Sequence, residues 1–105
     1  MRYAMVVGVC HLDLRVQGGS SLKGKRQVMK SLLGRVRSRF NVSISEVGNQ
    51  DNWNRAEVGI CLVGNDKDFI DSALAKVISF IEGTELVEVI RSEVELLSFN
   101  PAFFR

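Results

Sequence analysis

Proline is nearly absent from this 105-residue chain, which has one, and histidine, tryptophan and tyrosine also occur once each. With 46% hydrophobic and 25% charged residues, it has the balance of a folded domain and no proline-rich or low-complexity tract. Only two cysteines are present, Cys10 and Cys61, far apart in apolar settings with neither C-x-x-C nor Cys/His spacing. That pattern argues for reduced thiols and against a disulfide framework or a metal site. No apolar run approaches the roughly 18 to 20 residues that span a bilayer, and the opening MRYAMVVGVCHLDLRV is interrupted by charge. A cytoplasmic location is therefore expected. The length fits one domain over residues 1–105 and is too short for separate cofactor and substrate lobes.

Acidic residues are also missing where they matter most. The formal net charge is only +2, but residues 1–65 hold ten Lys/Arg against four Asp/Glu, and residues 66–105 hold four against eight. Between Leu22 and Phe40 stand Lys23, Lys25, Arg26, Lys30, Arg35, Arg37 and Arg39 without one carboxylate. A helix that is merely solubilised usually mixes signs for i,i+4 pairing.

What is present is a clear periodicity. From Met5 to Val16, Val6, Gly8, Cys10, Leu12, Leu14 and Val16 alternate with Val7, Val9, His11, Asp13 and Arg15, which predicts a half-buried strand. After Gln17-Gly18-Gly19-Ser20, with Ser20 or Ser21 as cap, Leu22, Met29, Leu32, Leu33, Val36 and Phe40 recur at helical spacing. Residues 41–47 and 54–63 predict a hairpin. Phe69, Ile70, Ala73, Leu74, Val77, Ile78 and Ile81 mark a second helix over 67–82, capped near Asp66 and ended by Gly83. Residues 85–98 predict a last strand, with Glu88 at a bulge or edge. The order βαββαβ implies a ferredoxin-like α+β sandwich, with an antiparallel sheet of order 4-1-3-2 and both helices on one face. Leu32, Leu33, Val36, Leu74, Val77 and Ile78 are the expected core between the layers.

In that arrangement Val7 and Val9 approach Cys61 and Val63 on the helix-free face, an apolar patch suited to a second copy of the chain or to cover by Pro101 to Phe104. At the other end His11, Asp13 and Arg15 meet Glu57 and Arg55. The third strand lacks aromatic rings, so base stacking on the sheet in the manner of an RNA-recognition motif is not expected. Gly19 to Arg26 misses the P-loop pattern because Arg26 stands where the magnesium-binding hydroxyl belongs. Val16-Gln17-Gly18 is similar to the loop of acylphosphatases, but Leu22 occupies the place of their arginine, and oxyanion stabilisation is lost with it. His11 has no nucleophile paired with it. No enzymatic activity, cofactor, metal or small-molecule substrate is expected.

At 100° per residue Lys23, Arg26, Lys30 and Arg37 fall within about 60° of one another, beside the apolar stripe, and span about 21 Å. Such a ridge suits several phosphates of a nucleic acid. In the hairpin loop, Trp53 either caps the core or anchors a partner, and Gln50, Asp51 and Arg55 either brace the loop or present a recognition surface.

Three stretches together, Ser21-Leu22-Lys23-x-Lys25-Arg26, Phe40-Asn41-Val42-Ser43-Ile44-Ser45-Glu46 and Gln50-Asp51-x-Trp53-x-Arg55-Ala56, resemble the bacterial YlxP-like family across nearly the whole chain. Gly24 departs from that pattern, where a helix-favouring polar residue is usual. The family has no assigned reaction. Its members are often encoded beside translation-initiation and ribosome-maturation genes, so the resemblance implies a ribosome-linked role. The expectation is thus a non-enzymatic protein that binds ribosomal or other structured RNA through the first helix. The alternative is a homo-oligomeric structural or small-ligand regulatory domain assembled through Val7, Val9, Cys61 and Val63.

Overall fold

The computed structural model describes residues 5–18 and 20–99. Its elements are β1 (Met5–Val16), α1 (Leu22–Arg39), β2 (Ser43–Gly48), β3 (Arg55–Gly64), α2 (Lys67–Gly83) and β4 (Val87–Phe99). The sheet runs β2-β3-β1-β4 with every neighbour antiparallel, which is the expected order counted from the other edge. Pro101 to Phe104, considered above as a cover for the sheet, lie outside the described residues.

Period two along β1 turns Val6, Cys10, Leu12, Leu14 and Val16 toward the helices, and all are buried. They meet Ala56, Val58 and Ile60 of β3, Met29, Leu32 and Val36 of α1, and Ile70, Leu74, Val77 and Ile81 of α2 in one core. Leu33 and Ile78, expected in its centre, pack against it half-buried. Each lies at the flank of its helical stripe, so part of the side chain reaches solvent.

Close approach explains a glycine inside β1. A Cβ at Gly8 would collide with Ile70 Cγ2 and lie 3.0 Å from Leu74 Cδ1, so the bare backbone is what lets α2 settle on the sheet. Asp66 caps α2, its carboxylate accepting from the backbone N–H groups of Asp68 and Phe69. β4 is an edge strand, so Glu88 holds an edge position, while the bulge falls at Ile90: Asp13 pairs with Arg91 and Leu14 with Val89, leaving residue 90 extra. Glu88 keeps a regular place opposite Arg15 and pairs with it at 2.9 Å.

Candidate nucleic-acid interface

Helix α1 begins at Ser21, whose Oγ accepts from the Gly24 N–H at 3.0 Å, and ends where the Phe40 N–H bonds the Val36 carbonyl. Its buried residues are Lys25, Met29, Leu32 and Val36, a stripe at i, i+4, i+7 and i+11. Lys25 is thus the one basic residue of α1 that points inward. With 1% of its side chain exposed, it donates to the Asn49 carbonyl at 2.6 Å and lies 2.9 Å from Glu46 Oε2 on β2. That carboxylate oxygen is buried and takes no aligned hydrogen bond among the described residues, where the Lys25 charge compensates it.

The pair fixes how the rest of the helix is presented. Rotating α1 so that Lys25 meets β2 leaves Lys23, Arg26, Lys30 and Arg37 exposed along one flank, as their spacing implies. Three of the four make no hydrogen bond or ion pair among the described residues, whereas Arg37 donates one guanidinium N–H to the Ile44 carbonyl at 2.9 Å. This places the ridge alongside the edge strand β2. Arg39 lies on the opposite flank, its guanidinium 5.0 Å from the centre of the Phe80 ring. The first turn carries no acid, so Lys23 and Arg26 stand at the positive end of the helix dipole and their field adds to it. Such an arrangement repels cations and attracts phosphates.

The hairpin loop lies at the same end, because the carbonyl that holds Lys25 belongs to Asn49, at φ 57°. Asparagine tolerates this left-handed conformation better than most residues. The loop is shaped by Asn52, whose side-chain oxygen accepts from the N–H groups of Asn54 and Arg55, both at 3.0 Å. Gln50 and Asp51, considered above as braces, are exposed and make no side-chain hydrogen bond among the described residues. Trp53 does not cap the core: it is 48% exposed. Arg55 opens β3, half-buried, with its Nε lacking a hydrogen-bond partner among the described residues. Sequence reasoning missed Lys25, Asn49 and Asn52. The signal for Lys25 was its helical angle, within the apolar stripe.

On the helix-free face Val7 pairs with Val63 and Val9 with Cys61, and Leu97 of β4 lies beside Val7. Val9, Val63, Leu97 and Cys61 are exposed, and Val7 is half-buried. At the polar end Asp13 pairs with Glu57 and Arg15 with Arg55, while His11 Nε2 lies 3.0 Å from Glu57 Oε1. Burial raises the Cys10 thiol above its ordinary pKa, which makes it a core residue and a poor nucleophile.

Residues 7–94 match a family described as "Protein of unknown function (DUF503)". The uncharacterized protein YlxP of Bacillus subtilis (strain 168) is 37% identical over 83 residues, covering 79% of this chain and 90% of that protein. Among solved structures, the de novo designed protein Foldit4 is 20% identical, with a TM-score of 0.49 over 91% of this chain and 97% of that one. LarC2, the C-terminal domain of a cyclometallase involved in the synthesis of the NPN cofactor of lactate racemase, is 10% identical, with a TM-score of 0.48 over 93% of this chain and 58% of that one. At these scores neither structure bears on what the chain does.

Proposed function

This chain belongs to the YlxP-like family of proteins of unknown function, and because membership brings no reaction with it, we propose from its own surface that it is a non-enzymatic binder of structured RNA, ribosomal RNA in particular. One observation carries the reading: Lys23, Arg26, Lys30 and Arg37 lie exposed on one flank of a helix that has no acidic residue. Among the described residues three of them have no hydrogen-bond or ion-pair partner, and Arg37 gives one guanidinium N–H to the Ile44 carbonyl. Phosphate contacts of this kind position a protein on nucleic acid without reading sequence. The exposed Trp53, at the same end as Lys23 and Arg26, adds a ring on which an unpaired base can stack. Among the described residues, no helix is long and apolar enough to cross a membrane.

The test is a titration against a ribosomal RNA fragment at several salt concentrations. Each phosphate neutralised contributes a log-log salt slope of about −0.7 to −0.9, so four contacts give about −3. Arg26→Glu with Lys30→Glu is expected to weaken binding far more than Lys67→Glu with Lys76→Glu on α2, both pairs being exposed. Equal binding by the two double variants, with circular dichroism showing both folded, overturns the reading.

A second reading rests on a different observation, the exposed Val9, Val63 and Leu97 on the helix-free face. Here that face assembles copies of the chain into a structural or small-ligand regulatory oligomer, and a stable dimer indifferent to RNA is its signature.

A further inference from the structure

On the helix-free face His11, Asp13 and Glu57 bring one imidazole nitrogen and two carboxylate oxygens within 4.8 Å of one another, and we propose that they bind a first-row transition dication of the zinc type. All three are half-buried and stand on the two central strands. His11 and Asp13 are two residues apart on β1 and so share a face, and Glu57 on β3 is directly opposite Asp13.

Two carboxylates directly opposite in adjacent strands repel one another, so this pair calls for a cation. The neighbouring arginines do not supply it. Arg15 is paired with Glu88 at 2.9 Å and Arg91 with Glu93 at 3.2 Å. Arg55, opposite Arg15, forms no ion pair among the described residues. Asp13 forms neither an ion pair nor a side-chain hydrogen bond among them. Across β1, β3 and β4 this face sets Asp13, Glu57, Glu88, Glu93 and Glu95 against Arg15, Arg55 and Arg91. Counted as five carboxylates against three guanidiniums, the excess is what one dication balances.

The geometry fits a shared ion. His11 Nε2 and Glu57 Oε1 are 3.0 Å apart, and two donors each about 2.0–2.2 Å from one tetrahedral metal lie about 3.3 to 3.6 Å from each other, so a shift of a few tenths of an ångström in the two side chains admits the ion. A cation there replaces the proton between them, and rotation of the Asp13 side chain brings the third donor. Glu57 is held in place by what its neighbours lack. Its β2 partner is Gly48, where a Cβ would come within 2.5 Å of Glu57 Oε2. Gly59 is opposite His11, and the Val47 side chain lies over it, where a Cβ would come 3.3 Å from Val47 Cγ1. One imidazole and two carboxylates without a thiolate suit zinc, cobalt, nickel, iron or manganese better than calcium or copper(I). The sequence pointed away from a metal because a site built across two strands shows none of the close ligand spacing of a Cys/His motif.

The test is calorimetric titration of zinc into tag-free protein, with cobalt(II) as an absorbing surrogate and the His11 ring resonances followed by NMR. Expected are one ion per chain, perturbation of the His11 ring by the bound ion, and an affinity at least about tenfold weaker in Asp13→Asn and in His11→Gln. Glu82→Gln, an exposed acid on α2, leaves the affinity unchanged. Asp13→Asn keeps the size of the side chain and carries the test if His11→Gln fails to fold. Absence of saturable binding, or an Asp13→Asn variant that binds as the parent does, overturns the proposal and leaves His11–Glu57 as a hydrogen bond alone.

Discussion

Lys25 shows how far one buried charge can set the presentation of others. A lysine with 1% of its side chain exposed costs several kcal/mol in desolvation, offset here by the Glu46 carboxylate and the Asn49 carbonyl. Removing one partner strands the other: Lys25→Met leaves Glu46, 19% exposed, without its cation and is expected to cost about 3–5 kcal/mol. Lys25→Met with Glu46→Leu is expected to recover most of that loss, because an apolar pair of similar volume replaces a buried ion pair at little net cost. Urea unfolding of the two single variants and the double variant measures the coupling directly. A loss that simply adds in the double variant would mean that the two groups do not depend on each other. Charge alone placed Lys25 with its exposed neighbours in the sequence, and only its angle, shared with Met29 and Val36, says otherwise.

At the scale of elements, the seam between α2 and the sheet is filled from both sides to close contact. Leu74 is 1% exposed, and Gly8 beneath it has no room for a methyl group. Leu74→Ala empties that seam and is expected to cost about 2–5 kcal/mol, while Gly8→Ala overfills it at about 1–3. Both lower the unfolding midpoint in thermal or urea melts, and an unchanged midpoint for either would mean that α2 does not sit on β1 as described. The elements were legible because each has one apolar face with a clean period, two in β1 and about 3.6 in α1 and α2. That same alternation, carried through antiparallel pairing, implies Val7 and Val9 near Cys61 and Val63, and His11, Asp13 and Arg15 near Glu57 and Arg55; the register makes the pairs Val7–Val63 and Asp13–Glu57. What stayed hidden depends on relations that periodicity does not encode. The bulge at Ile90 arises from pairing with β1, the hairpin loop from the Asn52 side chain, and the half-burial of Leu33 and Ile78 from how far each helix rolls.

The molecule as a whole has two unlike surfaces: a basic flank beside β2, and an open sheet face that is apolar at one end and charged at the other. These surfaces bear on the oligomeric reading. Val7, Val9, Cys61, Val63 and Leu97 converge from three adjacent strands, on the face away from α1 and α2. Stable interfaces bury about 800 Å² on each partner around an apolar centre, so a second copy docked here extends past the valines over β4, where Val94 is also exposed. Val9 lies at the centre of the patch, 38% exposed, between Cys61 and Glu95. Val9→Lys places a hydrated ammonium there without touching the core, since position 9 faces away from the helices. If this face joins copies of the chain, sedimentation equilibrium of the parent protein shows a dimer or larger assembly. The variant then shifts toward monomer, with its thermal midpoint lowered only by the interface it has lost. A parent protein that sediments as a monomer over the accessible concentration range rules out the oligomeric reading. The basic flank of α1 does not depend on that result, because Lys23, Arg26 and Lys30 extend from the opposite layer of the sandwich.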